Sequence, residues 1–314
     1  MAHTDSIFFT IPPERAHSFL GRLESYRVRY QRRARGWGRG AHVSPLVGAG
    51  MEFREFRDYV QGDDVRNIDW KTSARFARPF VRTFQIEENR FTHFLIDASE
   101  SMVRIASDRK LDYARDLALA LGHVALYSDD PAKFSLHPGA TGGSSFECTN
   151  RARLAGVRSF FDSAKAGGVL QLNEAATRVA REHHGHSGTV VILSDFLFAE
   201  DIFRAAFQKL AGRGLQVAVI QIFGQSEKDL PEHGEDAIRV RDAETGRIKR
   251  IAINSETRRL YQHAISTHQR RLQSLCYASR IWYGAFDPPD DDDGYLEKFT
   301  LGQLPGMGFL RDKV

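Results

Sequence analysis

From Phe91 onward, short apolar segments alternate with longer amphipathic segments. The short segments resemble strands buried on both faces, and the longer ones have the 3.6-residue repeat of helices. The predicted strands are Phe91–Asp97, Lys133–His137, Thr189–Ser194, Leu215–Phe223 and Arg280–Phe286. The predicted helices are Lys110–Leu126, Ala152–Phe161, Gln171–His184, Asp201–Ala211 and Glu256–Tyr277. This alternation predicts a Rossmann-like α/β fold with a mostly parallel central sheet covered by helices.

Two regions depart from this alternation. Residues 40–90 are punctuated by glycines and carry short predicted strands at Met51–Tyr59 and Phe80–Ile86, which indicates a small β-rich N-terminal elaboration. Near residues 236–253, alternating side chains flank a Glu-Thr-Gly turn, which predicts an inserted hairpin. The chain is therefore divided into a basic helix and loop (1–39), the β-rich segment (40–90), the main α/β domain (91–290) and a C-terminal extension (291–314).

Composition limits the function classes. The chain has 314 residues, of which 42% are hydrophobic, and a net charge of only +4, which does not by itself imply nucleic acid. Its two cysteines fit no zinc or disulfide framework and suit a reducing compartment. No signal peptide is apparent, and no segment approaches the roughly 18–20 apolar residues of a membrane span. We therefore expect a cytoplasmic protein.

No catalytic motif stands out along the chain. The sequence contains no Gly-x-Ser-x-Gly elbow, no His-Glu-x-x-His and no phosphate-binding P-loop. We therefore expect a protein that is not an enzyme.

The strongest candidate chemistry is an Asp-x-Ser-x-Ser loop formed by Asp97, Ser99 and Ser101, between a predicted strand and a predicted helix. Open α/β sheets bind ligands beyond the carboxyl ends of their strands. One carboxylate and two hydroxyls are hard oxygen ligands, which favour Mg²⁺ or Mn²⁺. Local turns or a helix cap would explain the two serines without a metal, so both interpretations remain open.

A second strand ends at Ser194 and Asp195. It can bring Asp195 towards Asp97, and two such carboxylates repel unless a proton or a cation lies between them. Partial exposure or an arginine partner is the alternative. The arrangement is similar to the metal-ion-dependent adhesion site of von Willebrand factor A-like domains, which usually draws a threonine from a third loop. Val169 stands at that position here and has no side-chain oxygen.

Arginines and acidic residues interleave through residues 52–88. Two interpretations remain open: an internal salt-bridge lattice that stabilises an irregular β segment, or a partner-docking surface. The candidate partner-binding residues are Asp63, Asp64, Arg66, Asp69, Trp70 and Arg75. The arginines of residues 14–39 favour a solvated helix face over a nucleic-acid interface, because no known nucleic-acid-binding motif accompanies them.

Residues 48–102 resemble the bacterial domain-of-unknown-function family 58. The resemblance is carried by GAGMEFREFRDYVQGDDVRNIDWKTSAR, VRTFQIEEN and the DASESM loop. It implies a von Willebrand factor A-like domain and an adaptor or co-chaperone that links a MoxR-type AAA+ ATPase to a client protein. It also implies that Asp97, Ser99 and Ser101 form the metal loop, together with Asp195.

The leading hypothesis is accordingly a non-enzymatic interaction module that binds partners through a divalent cation, Mg²⁺ or Mn²⁺. One alternative is a metal-independent scaffold that uses residues 52–88. The other is nucleic-acid binding through the N-terminal arginines. A binding affinity that falls steeply with salt concentration would support it.

Overall fold

The structure is a computed structural model that describes residues 6–29, 51–86, 90–138, 143–228, 230, 237–241, 248–287 and 294–313. Internal contacts divide the chain into two units, which are described separately. Unit 1 comprises Met1–Gln31 and Arg90–Val314, and unit 2 comprises Arg32–Asn89.

The elements follow the predicted alternation. The described strands are β1 (Tyr26–Val28), β2 (Met51–Asp58), β3 (Phe80–Ile86), β4 (Arg90–Asp97), β5 (Ala132–His137), β6 (Ser144–Cys148), β7 (Ser187–Ser194), β8 (Gln216–Ile222), β9 (Ala237–Arg241), β10 (Ile248–Ala252), β11 (Trp282–Phe286) and β12 (Leu310–Asp312). The described α-helices are α1 (Pro13–Leu23), α2 (Trp70–Phe76), α3 (Glu100–Val103), α4 (Lys110–Tyr127), α5 (Leu154–Ser163), α6 (Leu172–Glu182), α7 (Glu200–Gly212), α8 (Ser255–Ala278), α9 (Tyr295–Lys298) and α10 (Leu304–Gly306).

The centre of unit 1 is a six-stranded sheet in the order β11-β8-β7-β4-β5-β6. Its first five strands are parallel, and β6 pairs antiparallel with β5 at the edge. The predicted α/β class with a mostly parallel sheet is therefore confirmed. Strand β6 is not among the predicted strands, because its Ser-Ser-Phe-Glu-Cys sequence is mostly exposed and has no apolar run.

Helices cover both faces of this sheet. Side chains alternate along β4, so that Phe94 and Ile96 enter one core while Phe91 and Leu95 enter the other. The first core also contains α1, α4 and α5, and the second contains α6, α7 and α8. Helix α4 is buried on nearly all sides, and from Leu117 onward its sequence is almost entirely apolar.

The two ends of the described chain meet in unit 1. Strand β1 pairs antiparallel with β12. Leu296, Phe299 and Leu304 are buried in the same core as Phe19 of α1. The predicted C-terminal extension therefore supplies core residues, and the helix predicted within residues 14–39 ends at Leu23.

Unit 2 contains the antiparallel pair β2–β3, with a bulge between Phe53 and Glu55, and the short helix α2. In unit 1, β9 pairs antiparallel with β10 as the predicted hairpin, although its turn residues 242–247 lie outside the described residues. None of the described helices combines the length and the apolar composition needed to cross a membrane.

Candidate functional site

The candidate site lies where the order of the parallel strands reverses. Strand β4 has β5 on one side and β7 on the other, and in open α/β sheets ligands bind beyond the carboxyl ends of the strands at such a point. Asp97 ends β4 and Ser194 ends β7. The Ser194 hydroxyl donates a hydrogen bond to Asp97 Oδ2 at 2.6 Å, so the two strand ends are in direct contact.

The Asp97 loop gathers three side-chain oxygens. The Ser99 backbone N–H donates to Asp97 Oδ1 at 2.9 Å, and Ser99 Oγ lies 3.1 Å from Ser101 Oγ. Asp97 and Ser99 are each only 1% exposed, whereas Ser101 is half-buried. The loop is therefore held by its own short hydrogen bonds and reaches solvent at Ser101.

The third loop expected from the sequence also lies at this site. The Gly167 N–H donates to the Ala98 carbonyl at 2.7 Å, and the Glu100 N–H donates to the Gly168 carbonyl at 2.8 Å. Gly167 and Gly168 have φ values of 119° and 76°, which favour glycine. Val169 follows them, is half-buried and supplies no side-chain oxygen.

Asp195 has a partner that sequence analysis missed. The Lys110 ammonium lies 2.9 Å from Asp195 Oδ2, is 1% exposed and also pairs with Glu227. The Leu197 N–H donates to Asp195 Oδ1 at 3.2 Å. A buried lysine therefore fills the role for which an arginine was the sequence-based alternative.

Lys110 had a detectable sequence signal. It is the first residue of α4, where the helix dipole disfavours a cation. The loop that carries Glu227 is held against the start of this helix, because the Ser226 N–H donates to Asp108 Oδ1 at 3.2 Å. A Cβ atom at Gly224 would overlap the Asp108 side chain, so this approach requires glycine.

The pKa of Asp97 is raised, as is that of the buried Asp116 in α4. Burial, together with the nearby charge of Asp195, raises the pKa of Asp97 to about 7. The hydrogen bonds from Ser194 and Ser99 lower this pKa but do not offset the rise. Within the described part of the chain, no lysine or arginine forms an ion pair with Asp97. A buried carboxylate without its own counter-ion, next to two hydroxyls, fits a hard divalent cation. Asp97, Ser99 and Ser101 are the residues that would hold it.

The candidate acidic residues of unit 2 have local structural roles. Arg57 contacts Asp63 through two hydrogen bonds of 2.7 and 2.6 Å. Asp69 accepts from the Thr72 N–H at 2.7 Å as the cap of α2, and from Arg82 Nε at 2.6 Å. These two carboxylates belong to an internal lattice, which is the first of the two interpretations made from the sequence.

Other candidates in unit 2 are accessible. Trp70 is 70% exposed, and Arg66 and Arg75 are also exposed. Asp64 accepts from the Arg66 N–H at 3.0 Å and is itself exposed. Val65 and Phe76 add exposed apolar surface to the same unit. The segment therefore combines an internal lattice with an exposed aromatic and cationic surface.

The N-terminal arginines that the structure describes are partly used within unit 1. Arg15 and Arg22 form ion pairs with Glu297 at 2.9 and 2.7 Å. Arg32, Arg33, Arg35 and Arg39 lie outside the described residues.

The fold and the loop define an α/β protein with a candidate cation site at the switch point of its sheet. The model of the family described as "Protein of unknown function DUF58" matches residues 55–271, more than half of the chain, and the chain belongs to this family. This confirms the family predicted from the signature at residues 48–102.

Three similar proteins illustrate the relationships. An uncharacterized protein of Mycobacterium tuberculosis is 27% identical over 240 residues, which cover 73% of this chain and 72% of that protein. The conserved hypothetical protein BatB from Bacteroides thetaiotaomicron is 18% identical with a TM-score of 0.41. The match covers 69% of this chain and 98% of the BatB chain. The SpRpn10 VWA domain is 11% identical with a TM-score of 0.38, covering 69% and 95%. Structural neighbours thus include von Willebrand factor A domains.

Proposed function

We propose that this protein is a non-enzymatic adaptor that binds partner proteins through a divalent cation, Mg²⁺ or Mn²⁺, held by Asp97, Ser99 and Ser101. The observation that carries the proposal is the buried Asp97 carboxylate, which has no ion-pair partner among the described residues and lies beside two hydroxyls. Mg²⁺ usually keeps several exchangeable water positions, one of which a partner carboxylate can take.

The surrounding charges support a divalent cation. With Asp97 ionised, three carboxylates and one ammonium (Asp97, Asp195, Glu227 and Lys110) sum to −2. A divalent cation balances this charge. Lys110 holds Asp195 in place, so Asp195 acts beside the cation as an oriented charge. The Ser194 hydroxyl orients the Asp97 carboxylate from the side of Oδ2.

The proposed partners are a MoxR-type AAA+ ATPase and a client protein, and the proposed setting is the cytoplasm. This part rests on the resemblance of residues 48–102 to the family. An adaptor with no catalytic motif suits this role, because the ATPase would supply the chemical energy.

Calorimetric titration of Mg²⁺ and Mn²⁺ into the full chain tests the cation site. We expect saturable binding that Asp97→Asn loses, while Asp162→Asn, a surface control, retains it. Binding of a purified MoxR-type ATPase to the same three proteins tests the adaptor role, and only Asp97→Asn should lose it. Absence of saturable cation binding in the wild type would contradict the proposed site.

A metal-independent scaffold is the second candidate, favoured by the exposed Trp70 and Arg66 of unit 2. If it is correct, ATPase binding survives chelator and Asp97→Asn but weakens in Trp70→Ala and Arg66→Ala. The two functions therefore predict opposite patterns in the same set of variants.

A further inference from the structure

A second polar cluster lies within unit 1, under the carboxyl end of α6. It contains His93 of β4, the last residue of α6, Glu182, and His183, which follows that helix. His93 Nδ1 lies 2.8 Å from His183 Nε2, and one potential ligand atom from each of the three residues lies within 4.8 Å of the others. His93 precedes Asp97 by four strand residues, a separation of about 13 Å, so this cluster is distinct from the Asp97 loop.

Hydrogen bonds assign the proton on His93. Ser135 Oγ has one proton, which it donates to the Phe94 carbonyl at 3.2 Å, since a carbonyl can only accept. Ser135 Oγ must then accept from both of its imidazole neighbours, His93 Nε2 at 2.8 Å and His137 Nε2 at 3.0 Å. His93 therefore carries its proton on Nε2, and its Nδ1 lone pair faces His183.

His183 is held in a matching orientation. Its ring stacks on Phe91 with centroids 3.7 Å apart and an interplanar angle of 13°. Burial lowers the pKa of His183 to about 4 and holds the pKa of His93 well below its ordinary value. Both rings are therefore neutral at pH 7. A single proton, on His183 Nε2, lies between the two facing nitrogens. A metal ion can take its place when that proton moves to His183 Nδ1, which leaves both rings neutral.

We propose that His93 Nδ1, His183 Nε2 and a Glu182 oxygen form a second cation site, selective for a borderline transition-metal ion of the Zn²⁺ type. Two imidazoles and a carboxylate are a ligand set of zinc sites, with water in the fourth position. The nitrogens must separate to roughly 3.3 Å for a tetrahedral ion. Glu182 is exposed and His183 half-buried, so the cluster is open to solvent on that side. Ser135 is the outer-shell partner that orients His93.

In the metal-free protein, Lys133 is paired with one of the proposed metal ligands. It is paired with His93 in the register of β4 and β5, and its ammonium forms an ion pair with Glu182. Metal binding must release Glu182 from Lys133 and tolerate the positive charge nearby. Lys133→Met should therefore bind the metal more tightly than the wild type.

The test is a titration of Co²⁺ into the full chain, followed by its visible absorption, with Zn²⁺ added in competition. We expect the absorption bands of a nitrogen and oxygen site, which grow to saturation and arise from one Co²⁺ per chain. His183→Ala and Glu182→Gln should weaken it by at least about tenfold, since loss of even an outer-shell partner costs roughly 10–100-fold. Both residues lie at the surface end of α6, and circular dichroism verifies that the variants fold.

Matched controls separate this site from its neighbours. His184→Ala changes an exposed adjacent histidine and should leave binding unchanged. Absence of saturable binding, or binding retained in His183→Ala, would overturn the proposal. Loss of binding in His184→Ala would also overturn it, by assigning the ion to surface histidines. An unchanged or weaker affinity in Lys133→Met would contradict the position of the ion beside Glu182.

Discussion

Lys110 shows how one residue determines the electrostatics of the first site. Its ammonium is almost fully buried between Asp195 and Glu227, and these two charges hold its pKa above the ordinary lysine value despite burial. Burying a charge is costly unless it is paired, and here one ammonium satisfies two carboxylates. Of the three carboxylates at this site, Asp97 is then the one with no ion-pair partner among the described residues.

Replacing this ammonium should be strongly destabilising. In Lys110→Met, the buried Asp195 and the half-buried Glu227 are left without a counter-ion, so we expect a loss of about 3–5 kcal/mol in the free energy of unfolding. Urea denaturation measures it, and Lys165→Met, at an exposed position, should change stability by less than about 0.5 kcal/mol. Equal stability of the two variants would show that the lysine does not balance these charges.

Asp97 should make stability depend on pH in a defined direction. Its folded-state pKa of about 7 lies above the ordinary 3.8, so the folded protein retains a proton that the unfolded chain has released. The contribution of Asp97 is therefore fully present below pH about 4 and is lost as the pH rises through about 7.

Asp97→Asn removes this titration. Without divalent metal, the free energy of unfolding of the wild type minus that of Asp97→Asn should fall between pH 4 and 7 by an amount on the order of a few kcal/mol. Taking the difference cancels the opposite contribution of His93 and His137, whose pKa values are lowered by burial. Chemical denaturation at several pH values measures it. A pH-independent difference would mean that Asp97 ionises normally in the folded protein.

At the scale of elements, helix α4 approaches the sheet unusually closely at Gly122. A Cβ atom there would lie 2.5 Å from the Phe134 ring. That ring is fully buried, with Phe94 and Phe161 at centroid distances of 5.1 and 6.0 Å, so it has little freedom to move. Packing therefore opposes the ordinary preference for alanine in a helix.

Helix propensity alone predicts that Gly122→Ala stabilises the protein. We expect it to destabilise the protein instead. Overpacking costs about 1–3 kcal/mol, which exceeds the gain of up to about 1 kcal/mol from replacing a helical glycine. Gly21→Ala in α1 is the matched control, because a Cβ atom there meets nothing within 4 Å and should be stabilising. Thermal denaturation of both variants tests this, and stabilisation of both would contradict the close approach at α4.

At the scale of the whole molecule, the fold of unit 1 depends on both ends of the described chain. The first core contains Phe19 and Leu23 from the beginning, and Leu296, Phe299 and Leu304 from the end. Strand β12 then pairs with β1. Burial of each such side chain contributes about 1.5–3 kcal/mol. The free energy that this final segment contributes is therefore comparable to a typical total stability of about 5–15 kcal/mol.

A chain that ends at residue 293 should therefore not fold cooperatively. Truncation exposes the apolar surface that Leu296, Phe299, Leu304 and Leu310 cover, and circular dichroism should show a broad transition or none. Met307→Ala changes an exposed residue of the same segment and should retain the wild-type transition. A sharp, unshifted transition in the truncated chain would show that the segment is dispensable for folding.

Local patterns predicted much of the fold and part of the site. The apolar runs ending at Asp97 and Ser194 are local features, and parallel strands expose their carboxyl ends at one edge. These two features were enough to predict that Asp97 lies near Asp195. Strands β6 and β12 escaped prediction because they are short and carry few alternating apolar residues.

The amino-acid sequence by itself determined the α/β class, the family and the residues of the Asp97 loop, since strand periodicity, turn chemistry and the family signature are contiguous in the chain. Only the tertiary structure decided which charges meet. Lys110 contacts Asp195 and Glu227 across separations of 85 and 117 residues, and His93 contacts His183 across 90. Such pairs depend on strand order and helix placement, because the energy of an ion pair or a metal site depends on distances that no local pattern encodes.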